Sequence, residues 1–478
     1  MGLLSNAKWN GFSQIFKVSV QLINLVYLSK IIPPSDYGLL ALAAVVVNLG
    51  ILLRDLGTSS AIIQKKELGE NIVNSVFWLN FFLGFALMFV LILAAPFISN
   101  FYHQPELFNV LLSLSLTFPL SSCAATHLAL MERDSQFKKI SLIEILSSSV
   151  SVVIAVVFAN LGFGVYSLVL QAVVLNLLSA ILFWFYSCWR PVLQFNGWLS
   201  DIKEIFSFSF NVSLFNIVNY FSRNADSFFI GKFMSVFVLG NYNLAYRIML
   251  FPLQSLTFVA SRSLYPVLSK KQDDIEDFSK IYYNCLFVIL MITAPLMSSM
   301  AILSEPFVRI VFGEQWALVG EILKWLAPTA IIQSVISTTG AIFMARNRPK
   351  LLLKFGIIGA FLQVSSFIVG VRFDIITFSI CYFVANLINF PLVMNSVVKL
   401  INGSLLKLSL TLLPVILSTI ILILSLYYIT SWIYLNTFFS LVYISVLGLL
   451  IYIFALVCLS SVVREYVFAF MAKLKKIL

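Results

Sequence analysis

The stretch Lys8–Ser29, KWNGFSQIFKVSVQLINLVYLS, decides how the rest of the chain is read. Its polar residues Asn10, Gln14, Lys17, Gln21 and Asn24 follow at steps of four, three, four and three, so on a helix all five share one face. Trp9, Phe12, Ile15, Phe16, Val18, Val20, Leu22, Ile23, Leu25 and Val26 take the other faces. A helix lying on a membrane surface would be apolar over half its circumference, whereas this one is apolar over most of it. The pattern predicts a membrane-crossing helix with one wet face. Lys17 then sits near mid-depth, where a charge turned to lipid costs roughly 2.5–3.5 kcal/mol, so the stripe is expected to line a polar cavity inside a membrane protein.

Composition extends this reading to the whole chain. Of 478 residues, 60% are hydrophobic and 11% charged, against about 25% charged in a soluble chain. The long apolar runs exclude a barrel, whose strands would be short and alternating. The class expected is an all-α polytopic membrane protein with about fourteen transmembrane helices. The approximate spans are 8–29, 38–54, 72–97, 107–131, 140–160, 163–187, 205–228, 237–262, 281–304, 321–344, 351–371, 375–397, 405–430 and 437–461. The first lacks the short apolar core and small-residue cleavage site of a signal peptide, so it is expected to be retained.

The net charge of +11 is explained by topology. With the N-terminus in the cytoplasm and the spans alternating, most of the 31 basic residues fall in cytoplasmic connections. Only Lys30, Lys232, Arg309, Lys324 and Arg372 fall on the other side, and Lys17, Arg223 and Arg247 fall inside spans. Both termini are expected in the cytoplasm, and no nucleic-acid partner is called for. The five cysteines are scattered and the two histidines stand far apart, so neither a disulfide framework nor a metal centre is expected. His127, near Ser121, Ser122 and Thr126, reads as a hydrogen-bonded packing residue.

The chain carries an internal repeat. Leu28-Ser29-Lys30-Ile31 is similar to Ile230-Gly231-Lys232-Phe233, and at the same offset of 202 Gly38 meets Gly240, Leu42 meets Leu244 and Ala43 meets Ala245. Carried back, that offset sets Gln14 on Asn216, Lys17 on Asn219, Gln21 on Arg223 and Asn24 on Asp226, so the polar stripe recurs in the seventh span. Weaker echoes pair Pro96-Phe97-Ile98 with Pro306-Phe307-Val308, and Met131-Glu132-Arg133 with Met344-Ala345-Arg346. Six spans separate the two stripes, which makes the repeat parallel. Two pseudo-symmetric six-helix lobes facing a common cavity are expected, residues 1–190 and 191–400, with two accessory helices in 401–478.

Cations held in such a cavity invite an anionic substrate, and Arg suits phosphate oxygens in particular. The expected cavity residues are Lys17, Arg223 and Arg247, with Asp226, Gln14, Gln21, Asn24, Asn216, Asn219 and Asn243. Asp226, three residues after Arg223, reads either as a counter-charge or as a coupling-ion site. Lys17 finds no acid at helical spacing in its own span, so a salt bridge would need a partner from another helix. Asp55 and Glu144 lie near cytoplasmic helix ends and receive no role. A phosphate-binding GxxxxGK[ST] loop and an HExxH zinc motif are absent from the sequence, and no hydrophilic loop is long enough to house an active site. The chain therefore reads as a transporter that needs no cofactor rather than as an enzyme.

Lys30-(x)7-Gly38, Arg54-Asp55-Leu56-Gly57 with Ala61-Ile62-Ile63-Gln64, Leu239-Gly240-Asn241-Tyr242-Asn243-Leu244-Ala245 and Leu264-Tyr265-Pro266 carry a resemblance. Over roughly the first twelve spans the chain resembles Wzx-type oligosaccharide flippases, a polysaccharide-transporter branch of the multidrug/oligosaccharidyl-lipid/polysaccharide superfamily, and most of all the colanic-acid and exopolysaccharide exporters. The resemblance implies a two-lobed fold, alternating access, and oligosaccharide repeat units on undecaprenyl pyrophosphate as substrate. It implies a bacterial inner-membrane location, with membrane lipids around a monomer and a polysaccharide polymerase and chain-length regulator as partners. It also implies that Lys17, Arg223 and Arg247 meet the pyrophosphate. A cation-coupled multidrug exporter and a lipid II flippase of the same superfamily are the alternatives.

Overall fold

A computed structural model describes residues 3–55, 62–63, 69–193, 220–221, 223–433, 435–461 and 463–465, with side chains from residue 13 onward apart from 15 and 251–263. Every long regular element among them is a helix. In order these are α1 (Leu3–Ser29), α2 (Pro34–Asp55), α3 (Glu70–Tyr102), α4 (Glu106–Ser115), α5 (Thr117–Arg133), α6 (Phe137–Asn160) and α7 (Val165–Tyr186). Residues 223–233 are helical. Then follow α8 (Val236–Lys270), α9 (Ile275–Ile302), α10 (Ser304–Val311), α11 (Ala317–Ala345), α12 (Pro349–Gly370), α13 (Ile375–Leu400), α14 (Leu405–Trp432) and α15 (Phe438–Leu459). Among the described residues eleven helical segments, one of them α4 and α5 together, are long and apolar enough to cross a membrane, and the chain is a multi-pass membrane protein. Most of the seventh expected span, with Asn216 and Asn219, lies outside the described residues, as does the side chain of Asn10.

Local chemistry accounts for the helix ends. The expected span 107–131 is two helices rather than one. Pro119 has no N–H to offer the Ser115 carbonyl, and the hydroxyls of Ser115 and Thr117 bond back to Leu112 O and Leu114 O at 2.7 and 2.6 Å. Asp374, Ser404 and Thr437 cap α13, α14 and α15 by accepting from the backbone N–H three residues on. Pro96 lies inside α3 and Pro306 in the first turn of α10, six and five residues before the ends of those helices. Met131-Glu132-Arg133 and Met344-Ala345-Arg346 do occupy like places, each at the C-terminal end of a helix.

The chain forms two compact units, Met1–Gly240 and Asn241–Leu478. In the first, α1 packs on α6, α6 on α7, and α5 between α3 and α7. In the second, α9, α11, α13, α14 and α15 enclose a core that includes Phe278, Tyr282, Phe343, Leu422 and Leu426. That core carries polar pairs between helices. Tyr282 Oη lies 3.4 Å from Thr338 Oγ1, Thr293 Oγ1 lies 3.3 Å from Ser334 Oγ, and Gln333 Nε2 donates to Tyr382 Oη at 2.6 Å. With no water in the bilayer core, such groups must find partners on neighbouring helices.

Candidate functional site: a charged cavity in the first unit

The α1 stripe is not one surface but two ridges about 60° apart. Ser13, Lys17, Asn24 and Leu28 turn into the first unit; Ser13, Asn24 and Leu28 are buried and Lys17 is half-buried. Gln14 and Gln21 are exposed. The inward ridge meets polar groups on α6 and α7. Lys17 Nζ donates to Glu144 Oε2 at 2.6 Å, and Ser13 Oγ approaches the same oxygen at 3.3 Å. Asn24 Nδ2 donates to Gln171 Oε1 at 3.2 Å. Lys17 therefore has its acid after all, supplied by a residue to which the sequence had given no role.

This ion pair forms one wall of a cavity of about 400 Å³. Helix α1 contributes Lys17 and Gln21, α2 contributes Arg54 and Asp55, α6 contributes Glu144 and Ser148, and α7 contributes Asn176 and Ser179. Helix α5 contributes one face, from Ser121 through Ala125 and Ala129 to Glu132, whose small residues leave the space open. Arg54 is 8% exposed, and its Nε and Nη1 have no hydrogen-bond partner among the described residues. A guanidinium keeps its charge, and its fork of donors matches a carboxylate or phosphate, so a buried one with two idle donors is chemically incomplete. Topology alone had placed Arg54 among the cytoplasmic charges. Its i+1 neighbour Asp55 interacts with it through space.

Of the other described candidates in the first unit, Gln14, Asn24, Arg223 and Asp226 are not in the lining of this cavity. Asp226 is buried and accepts from the Ser227 N–H at 2.6 Å, while Arg223 is exposed. In the second unit Arg247 is exposed and Asn243 half-buried. His127 is fully buried among Phe77, Trp184 and Trp189, with ring centroids 6.1, 4.9 and 5.5 Å away. Among the described residues neither of its ring nitrogens has a hydrogen-bond partner, so it packs there without the bonds expected of it. Among the described residues no group of histidines, cysteines and carboxylates is placed to hold a metal ion. The second unit has a groove of about 670 Å³ lined by α9, α10, α14 and α15, with Met291, Leu296, Phe307, Leu449 and Ile453 on its walls and no charged residue.

The multi-helix membrane fold of this chain is shared by solved structures of membrane transporters. The chain is similar to the lipid II flippase MurJ in an inward closed conformation (TM-score 0.73, 16% identity, 97% of this chain and 100% of that one). It is also similar to an inward-facing multidrug resistance MATE family transporter (TM-score 0.58, 16% identity, 81% and 96%). At these identities the likeness is one of fold. Residues 27–321 match the family described as polysaccharide biosynthesis protein, and the chain belongs to that family. Curated relatives include the lipopolysaccharide biosynthesis protein WzxC of Escherichia coli (strain K12), 28% identical over 77% of this chain and 75% of that protein. Another is the teichuronic acid biosynthesis protein TuaB of Bacillus subtilis (strain 168), 25% identical over 73% and 72%. The succinoglycan biosynthesis transport protein ExoT of Rhizobium meliloti (strain 1021) is 26% identical over 70% and 67%.

Proposed function

We propose that this protein flips undecaprenyl-pyrophosphate-linked oligosaccharide repeat units from the cytoplasmic to the periplasmic leaflet of a bacterial inner membrane by alternating access, for surface polysaccharide biosynthesis. Family membership and the named roles of WzxC, TuaB and ExoT support the substrate class. The observation that carries the reading is Arg54, a buried cation with two idle donors in a cavity of a membrane helix bundle. Within that cavity Lys17 is already neutralised by Glu144, so Arg54 is the group with donors to spare for a phosphate oxygen. The apolar groove of the second unit offers an anion nothing. Lys17, Gln21 and Arg54 are placed as headgroup contacts, with Arg223, Arg247, Asp226, Gln14, Asn24, Asn216, Asn219 and Asn243 as further candidates.

Pairing the pyrophosphate with a buried guanidinium lowers the cost of taking its charge out of water. An interior-negative potential then favours outward movement by about 2.3 kcal/mol per charge per 100 mV. Both termini are placed in the cytoplasm and the chain is read as a monomer, with a polymerase and a chain-length regulator acting on its product.

A second reading has an observation of its own. Asp55, Glu132 and Glu144 outnumber Lys17 and Arg54 in the cavity, and an excess of carboxylates suits the organic cations of a cation-coupled multidrug exporter. One set of strains separates the two. In a deletion strain complemented at matched expression, Arg54→Gln is expected to reduce surface polysaccharide at least tenfold, Arg54→Lys to restore part of it, and ethidium efflux to stay at the deletion background. Wild-type export by Arg54→Gln, Lys17→Ala, Arg223→Ala and Arg247→Ala alike would sink the anion reading. Protein-dependent ethidium efflux would favour the exporter.

A further inference from the structure

The charges of the first unit's cavity pull in two directions. Among the described residues that line it, Asp55, Glu132 and Glu144 are acidic, and Lys17 and Arg54 are basic. An excess of carboxylates repels an anion, yet Arg54 lies buried there with two donors idle among the described residues. Lys17, the second cation, is already taken: Glu144 Oε2 accepts from Lys17 Nζ at 2.6 Å and from Ser13 Oγ at 3.3 Å.

Glu144 stands on a fixed helix but has a movable side chain. Ile140 and Ile143, four residues and one residue before it, are buried in a cluster with Ala124, Met131, Ala180 and Phe183. The Glu144 and Lys17 side chains, by contrast, stay 35% and 23% exposed, and both face the cavity. Two long side chains that meet at a cavity wall part by a change of rotamer, with no packed core to disturb. The ammonium of Lys17 is a compact point charge that takes a phosphate oxygen as readily as a carboxylate oxygen. Glu132 lies near enough to Glu144 for the two charges to repel. Away from Lys17, the Glu144 carboxylate therefore has a neighbour of its own sign, which favours its return.

We propose that Glu144 is a resident substitute for the anionic headgroup. In the unloaded protein it occupies Lys17; a pyrophosphate must displace it to engage Lys17 and Arg54 together, and its return to Lys17 drives the headgroup off. The inference rests on the flippase reading of this cavity and deepens it. An unloaded carrier with Lys17 unpaired would hold a bare charge at membrane depth, and the pair with Glu144 avoids that. Competition from Glu144 also keeps binding weak enough for release, without which a carrier does not turn over.

The test uses the full-length protein in lipid nanodiscs, with radiolabelled farnesyl pyrophosphate as the probe and excess farnesol to fill sites that take the chain alone. Glu144→Gln removes the competing charge and is expected to bind the probe roughly tenfold more tightly than the wild type. Ser13→Ala keeps the ion pair but loosens its hold on Oε2, and is expected to tighten binding about twofold to fivefold. In the deletion strain at matched expression, Glu144→Gln is expected to cut surface polysaccharide to roughly a tenth, since a headgroup without a competitor stays bound. A pair that served only the fold would give the opposite sign, with binding weakened when Glu144 is lost. Binding by Glu144→Gln and Ser13→Ala no tighter than wild type, with Arg54→Gln still weakening it, would overturn the substitute and leave the anion reading standing. Tighter binding by Glu144→Gln together with wild-type export would overturn the part given to Glu144 in release. No pyrophosphate-dependent binding by the folded wild type would overturn the anion reading and the substitute with it.

Discussion

At the scale of single residues, two side chains change the account of the site, and neither could be placed by spacing along one helix. Glu144 stands 127 positions from Lys17, and only the packing of α1 on α6 brings them to 2.6 Å. Arg54 ends α2, where a charge normally reaches water, but here the bundle closes over it. What was legible was the stripe itself and the need for Lys17 to avoid lipid; what was not was the direction of each ridge, which depends on neighbours. The Lys17–Glu144 pair is half-buried, so removing one partner leaves the other poorly solvated, while removing both does not. In detergent, Lys17→Met and Glu144→Gln are each expected to lower the unfolding temperature, and the double variant to recover part of the loss. The coupling energy expected from the cycle is about 0.5–3 kcal/mol. Strict additivity of the two changes would show that the pair contributes nothing to stability.

At the scale of elements, hydropathy located helices well wherever lipid-facing residues are numerous, because the membrane demands a long apolar run. It could not see the break between α4 and α5, which depends on one missing N–H at Pro119 and on hydroxyls competing for carbonyls. Nor could it tell glycines that admit a neighbour from those that merely tolerate flexibility. Gly370 ends α12 with the backbone of α13 against it: an added carbon would stand 2.6 Å from Phe378 Cα. Gly356, on the same helix, has nothing within 4 Å. Gly370→Ala is therefore expected to destabilise by about 1–3 kcal/mol, through forced separation of the two helices. Gly356→Ala is expected to be neutral or to stabilise by up to about 1 kcal/mol, since alanine gives up less backbone entropy in a helix. Thermal unfolding of the two variants in the same detergent checks both signs; equal shifts would remove packing as the cause.

At the scale of the whole molecule, the apolar bulk makes a multi-pass protein, and the +11 charge is expected to follow its topology. Gly38 and Gly240, equivalent in the expected repeat, stand where backbones touch, and Pro96 and Pro306 stand six and five residues before the ends of their helices. The expected orientation rests on charge alone, so it can be tested without any assumption about substrate. Lys271, paired with Asp277 at 2.8 Å, and Lys324, paired with Glu305, are both about half exposed. The positive-inside arrangement sets Lys271 in the cytoplasm and Lys324 on the outer face. In a cysteine-free background, Lys324→Cys is expected to react with a membrane-impermeant maleimide in intact spheroplasts, and Lys271→Cys only after permeabilisation. The reverse pattern would invert the protein in the membrane.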